Sequence, residues 1–280
     1  MMRAILPGVM MALAITPSAA AGQAHHHEAA PPPVPPPDKA PEPPGDHAAD
    51  AYYDPEDMAA ARALLRRENG GMGASMILLD RLELVTGQGR DGFRWAGEAW
   101  WGGDIDRLVL KSQGEGAFSG GMEQAEVQAL YARALDPWFN LQLGVRHDVR
   151  PEPQRSYAAI GVQGLAPFWF EVEGALFLSD RGDLSARVEA SHDIRLTQRL
   201  LLTPRAELNF AARKVEALNQ GAGLTSAEFG LRLHYAVAPR FAPYVGLHWE
   251  YLSGASARLA RAEGDRSHRM ALVTGVRIWF

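Results

Sequence analysis

No cysteine occurs among the 280 residues, which excludes disulfides, thiolate-bound zinc, iron–sulfur clusters and a cysteine nucleophile. Beyond the N-terminal segment there is also no apolar run of roughly 18 residues, so a helical membrane protein is not expected. Basic charge is not in excess: 28 Lys and Arg against 33 Asp and Glu leave a net charge of −5, and no nucleic-acid partner is expected. Methionine is scarce. Of the nine, four fall in the first eleven residues, leaving Met58, Met72, Met76, Met122 and Met270.

What is present begins with an export leader. Arg3 supplies the positive charge, Ala4 to Ile15 an apolar stretch, and Pro17 to Ala21 a small-residue cleavage region. Residues 1–21 are expected to be removed, with cleavage after Gly22 or Ala24 equally compatible. From 22 to 53 there is no periodicity, and nine of the nineteen prolines lie between Pro31 and Pro44. That composition predicts a disordered, extended periplasmic segment carrying His25, His26, His27 and His47. A bare trio of histidines is as often a solvated polar tail as a metal site. Residues 54–70 then predict one short helix: Asp54 suits the cap, Pro55 the first turn, Met58, Ala61, Leu64 and Leu65 form an apolar stripe, and Gly70-Gly71 ends it.

Twelve segments of alternating polarity follow, at 74–85, 92–102, 105–113, 122–134, 138–148, 156–165, 168–179, 184–195, 199–211, 225–236, 241–252 and 267–280. Successive strand residues point to opposite faces, so each segment has a greasy side and a polar side. In the last, Met270, Leu272, Thr274, Val276, Ile278 and Phe280 share one face, and Arg269 and Arg277 lie on the other. Tight connections such as Gly103-Asp104 and Asp136-Pro137 alternate with mostly longer ones, including 212–224 and 253–266. The polar faces carry charge of both signs, among them Arg81, Glu83, Arg94, Glu98, Lys111, Glu126, Arg205, Glu207, Glu228, Arg232 and Glu250. A dry sandwich core does not hold such charges unpaired, whereas the lumen of a membrane barrel does. The expected fold is therefore all-β: a transmembrane antiparallel β-barrel of about twelve strands over 72–280, in the outer membrane among lipid and lipopolysaccharide. The aromatic end of the last segment reads as the closing strand and assembly signal of such a barrel.

Several motifs taken together resemble the copper resistance protein B family. They are Gly70-Gly71-Met72, Asp80-Arg81-Leu82-Glu83, Trp100-Trp101-Gly102-Gly103-Asp104, Gln142 to Asp148, and Leu196 to Leu200 with Pro204 to Asn209. The resemblance covers about Asp54 to Phe280. It implies an exported outer-membrane barrel of a copper-tolerance system, with copper ions as ligand and a periplasmic copper-handling protein as a partner. Family members often carry a long Met- and His-rich N-terminal segment; here it is reduced to His25–His27 and His47, with no Met among the prolines.

Residue chemistry supplies candidate copper ligands, imidazole suiting Cu(II) and thioether Cu(I). With cleavage after Gly22 or Ala24, His25 or His27 becomes the third mature residue, where an amine, two backbone nitrogens and an imidazole make a square-planar set. Met72 and Met76 sit at the barrel mouth; His234, His248 and Glu250 point into the lumen from neighbouring strands. Counting from the Ala238-Pro239 turn places His248 opposite about Leu231, a stagger of some three residues from His234, so the two are expected to line one path rather than chelate one ion. Two other readings compete. One is an outer-membrane lipase or deacylase, for which Ser191-His192 is the tempting pair, but adjacent strand residues face opposite ways and no enzyme is expected. The other is a generic small-solute channel with no specific copper role.

Overall fold

Alternation of this kind can bury only one side of each strand, so the strands must share their polar side with one another. They do so in the computed structural model, which describes residues 47–69, 73–87, 91–262, 264 and 266–280. The leader and the proline-rich stretch up to 46 lie outside the described residues. The chain divides into two units, Met1–Pro55 and Glu56–Phe280. The described part of the first holds one short 3-10 turn, Ala48–Ala51, in which the Asp50 N–H donates to the His47 carbonyl at 2.8 Å.

Helix α1, Pro55–Asn69, starts at the last residue of the first unit and otherwise belongs to the second, and its first turn carries Glu56 and Asp57 at the positive end of the helix dipole. Its expected stripe is not covered: Leu64 and Leu65 are 49% and 60% exposed. Thirteen strands follow: β1 (Ala74–Gly87), β2 (Gly92–Gly102), β3 (Asp106–Ala117), β4 (Gly121–Ala134), β5 (Phe139–Arg150), β6 (Arg155–Ala166), β7 (Phe170–Ser179), β8 (Leu184–Ser191), β9 (Ile194–Arg195), β10 (Leu200–Ala211), β11 (Gly223–Tyr235), β12 (Phe241–Leu252) and β13 (His268–Trp279). Each pairs antiparallel with the next, except that β8 and β9 both pair with β10, and β13 pairs back onto β1, with Leu84 opposite Thr274, which closes the barrel.

The expected segment 184–195 appears as two strands, β8 and β9. Both pair with β10 in one continuous register, Ser191 opposite Arg205 and Ile194 opposite Leu202. Between them His192 faces Pro204, which has no N–H to donate, and the ladder loses a bond there. The wall therefore has twelve staves. Closure removes every free edge, and only a closed sheet satisfies its backbone inside a bilayer.

The two faces differ as the alternation requires. Outside, Ile77, Leu84, Val145, Leu178 and Leu272 are all more than half exposed, a continuous apolar surface suited to lipid. Inside, the buried set is largely polar: Arg81, Glu83, Glu126, Gln128, Gln142, Glu207, Arg232, His234 and His248. One apolar cluster, Val109, Leu130, Ala132, Tyr157, Ala159 and Phe177, packs on the inner side of β3, β4, β6 and β7. The short connections use local side-chain acceptors, Asp136 Oδ1 taking the Trp138 and Phe139 N–H groups at 2.7 Å and Thr197 Oγ1 the Leu200 N–H at 3.0 Å.

Two features depart from simple alternation. A bulge in β1 between Leu79 and Leu82 turns Asp80 and Arg81 inward together, because the extra residue shifts the side-chain parity. The stretch 253–266, expected as a loop, contains helix α2, Gly254–Ala262, with Ser256, Ala257 and Ala260 buried. It lies against the β10–β11 connection, where the Gly221 N–H donates to Ser256 Oγ at 2.9 Å. A Cβ at Gly221 would stand 2.5 Å from the Ala255 Cβ, so this approach needs glycine.

Candidate functional site

The lumen is crossed by ion pairs built from strands far apart in the wall. Glu83 on β1 is fully buried and receives Arg232 Nε at 2.5 Å, Arg232 Nη2 at 3.1 Å and the Tyr244 hydroxyl at 3.0 Å. Two glycines make room for this group. A Cβ at Gly230 would meet the Arg232 guanidinium, and one at Gly275 would stand 2.8 Å from the Tyr244 ring. Glu126 on β4 takes Arg187 of β8 in a bidentate pair at 2.8 and 2.9 Å, and Arg146 at 2.7 Å. Arg205 holds Glu189, and Asp80 lies 3.2 Å from Arg277. Such pairing is what allows charges to be buried at all, since an unpaired one costs several kcal/mol or about 3–5 when a partner is removed.

These struts divide the lumen into chambers. Toward the long loops a cavity of about 370 Å³ runs up to Ser256 and Ala260 of α2. The central chamber is about 160 Å³ and balanced, with six acidic side chains (Asp80, Glu98, Glu171, Glu173, Glu189, Asp193) and six basic ones (Arg81, Lys111, Arg187, Arg205, Arg232, Arg277). At the short-turn rim a vestibule of about 330 Å³ is acidic: Glu98, Glu171, Glu173 and Glu189 face a single Arg107. Three of these are paired with cations that line the next chamber, Glu189 with Arg205 and Glu98 and Glu173 with Lys111, so the pull on a mobile cation falls mainly to Glu171. Outside the strands, Asp183 in the β7–β8 turn is pushed up by burial but more than offset by its bonds from Arg213 (2.6 Å) and Arg155, and so stays below the usual carboxylate range.

The histidines expected in the lumen differ in readiness. His234 is 4% exposed, faces the central chamber, and neither ring nitrogen has a hydrogen-bond partner. Its ring lies 4.5 Å from that of Tyr244, its cross-strand partner. His248 is engaged: its Nε2 accepts from Arg94 Nη1 at 2.5 Å, and Glu228 lies 3.7 Å away. It pairs with Gly230, not Leu231, so the stagger between the histidines is four residues rather than three, roughly 13 Å along the strand. The Ala238–Phe241 bridge at the turn keeps the expected register, and the ladder slips by one residue between it and the His234–Tyr244 pair. Arg232 lies between the two on the same face of β11.

Glu250 lies toward the long loops, 4.0 Å from Arg269 and opposite Glu228. Met76 is half-buried opposite Trp100 near the short-turn rim, and His47 is exposed. His25, His26, His27 and Met72 lie outside the described residues. Among the described residues, no three His, Asp or Glu side chains gather closely enough to hold a metal ion together. Ser191 and His192 do not meet: Ser191 donates to Glu171 at 3.4 Å, while His192 Nδ1 lies 3.1 Å from the Trp169 carbonyl oxygen.

Sequence reasoning did not single out Asp80 and Asp193 as lumen groups, whereas Tyr244 falls on the same inward parity as His248 and Glu250 and is buried. Asp80-Arg81 did carry a signal, because two consecutive charges in a strict strand would put one of them into lipid. Asp193 shares the inward parity of Arg187 and Glu189 and receives Arg277 at 3.1 Å, a partner that alternation alone does not reveal.

Comparison with known proteins bears on what this lumen serves. The family model described as copper resistance protein B precursor (CopB) matches residues 74–280. Copper resistance protein B of Escherichia coli is 42% identical over 205 residues, covering 73% of this chain and 69% of that protein. A copper resistance protein B homolog of Pseudomonas syringae pv. tomato is 40% identical over 206 residues, covering 74% and 70%. Among solved structures, the NanC porin aligns with TM-score 0.48 and 14% identity over 72% of this chain and 98% of its own. On the family match and these identities, the chain belongs to the copper resistance protein B family, an outer-membrane β-barrel with a role in copper resistance.

Proposed function

We propose that the barrel binds copper ions and passes them across, or holds them at, the outer membrane. One observation carries this reading: His234 is a buried imidazole with both nitrogens unsatisfied, facing a small polar chamber. A buried polar group without a partner is costly, and a bound ion would relieve that cost. Imidazole is a ligand that copper favours. The acidic vestibule supplies the approach, and short turns in such barrels face the periplasm. An ion that must leave cannot be held tightly, which suits single ligands met in succession better than a closed cage.

His234 ranks ahead of His248, whose Nε2 lone pair is taken by a guanidinium that also repels an incoming cation. Glu250 offers a carboxylate beyond that barrier, and Met72 and Met76 would serve Cu(I) at the mouth. We place the leader at 1–21, with the mature tail of 22–53 presenting His25–His27 and His47 to Cu(II) in the periplasm and to a copper-handling protein there.

Flux into liposomes tests the reading. Copper ions should enter faster than a neutral sugar of similar hydrated size, and H234A should slow copper while leaving the sugar unchanged. Equal flux of both solutes, indifferent to H234A, would make the barrel a generic small-solute channel.

A further inference from the structure

The acidic vestibule and the central chamber share Glu98, Gln163 and Glu173, and at that junction sits the ammonium of Lys111. It donates to Glu173 Oε2 at 2.7 Å, Gln142 Oε1 at 3.1 Å and Gln163 Oε1 at 3.1 Å, with Glu98 Oε2 at 3.8 Å. Glu98 is its direct cross-strand neighbour on β2; the other three acceptors come from β5, β6 and β7. The lysine thus reaches across four strands of a twelve-stave wall, about a third of its circumference. Gln142 Nε2 donates to Gln163 Oε1 at 2.6 Å, which fixes both carboxamide oxygens toward the ammonium. Two carboxylates and two carbonyl-type oxygens from separate strands are the ligand set of a hard cation.

We propose that these four side chains form a cation-binding oxygen cage whose resident ion is the tethered Lys111 ammonium, and that this ammonium sets which ions pass between vestibule and central chamber. While it is seated, the cage charge is compensated and a mobile cation finds no vacancy. Without it, Glu98 and Glu173 face each other uncompensated beside Glu171 and Glu189, and they recruit a cation from solution. This deepens the conduit part of the proposed function and is independent of copper as the cargo, so its test omits copper.

Planar-bilayer currents in potassium chloride are the measurement, on full-length folded protein checked by heat-modifiable migration. K111A should raise conductance several-fold and acquire block by calcium at about 1 mM, the strength of an open oxygen site. K111M keeps the volume and removes the charge, so calcium block should appear there too; a merely steric plug predicts wild-type behaviour for K111M. K111R should resemble the wild type. E173Q is the check that leaves the lysine in place: with its strongest partner neutralised, the ammonium is under-compensated and the reversal potential should move toward anion preference. Wild-type conductance and calcium insensitivity in K111A and K111M would overturn the proposal. Should neither variant fold, an unshifted reversal potential in E173Q would overturn it equally.

Discussion

Glu83 shows how this protein holds a charged interior. Its carboxylate is fully buried, yet every polar atom it presents is met by Arg232 or Tyr244. Removing one member leaves the others buried and uncompensated, which costs about 3–5 kcal/mol. Glu83→Ala should therefore lower the temperature at which the folded gel band is lost far more than a substitution at an exposed acid such as Glu216, which pairs with Lys214 in the β10–β11 loop. Equal shifts for the two variants would contradict the assigned role of the triad. At this scale the sequence was legible wherever strict alternation held: Glu83, Arg232, His234 and His248 were all read as inward, and all are buried. It failed at Asp80, where a bulge breaks parity. Nor did it show that His248 is already engaged by Arg94, because that contact joins side chains 154 residues apart.

The elements were read more fully than the contacts between them. Strand existence and order followed from period-two polarity, and boundaries moved by at most a few residues, since turn chemistry at Asp136 and Thr197 marks where strands stop. Helix α2 was not read, because its buried positions are Ser256, Ala257 and Ala260, too small and too weakly apolar to stand out as a stripe. The seam between β1 and β13 is where closure is decided. There Ile77 and Phe280 exchange both backbone hydrogen bonds, at 2.9 and 3.1 Å. Deleting Phe280 removes that pair and an exposed aromatic ring on the outer surface. The expected result is much less folded barrel in the membrane fraction, while the folded remainder still takes up copper. Normal assembly without Phe280 would show that the seam closes without it.

For the whole molecule, the family and the outer-membrane barrel follow from sequence and comparison together, whereas the route taken by copper rests on the lumen. An acidic vestibule at the short-turn rim, a lysine-filled oxygen cage and His234 on the central chamber, and a guanidinium barrier at His248 nearer the long loops line that lumen. The most direct measurement is a calorimetric copper titration of a chain beginning at Asp54, which lacks the histidine tail, beside its H234A and H248A variants. We predict one class of copper sites in that chain, lost in H234A and retained in H248A. Identical titrations for the unsubstituted chain and H234A, whether both bind or neither does, would contradict a copper site in the lumen at His234.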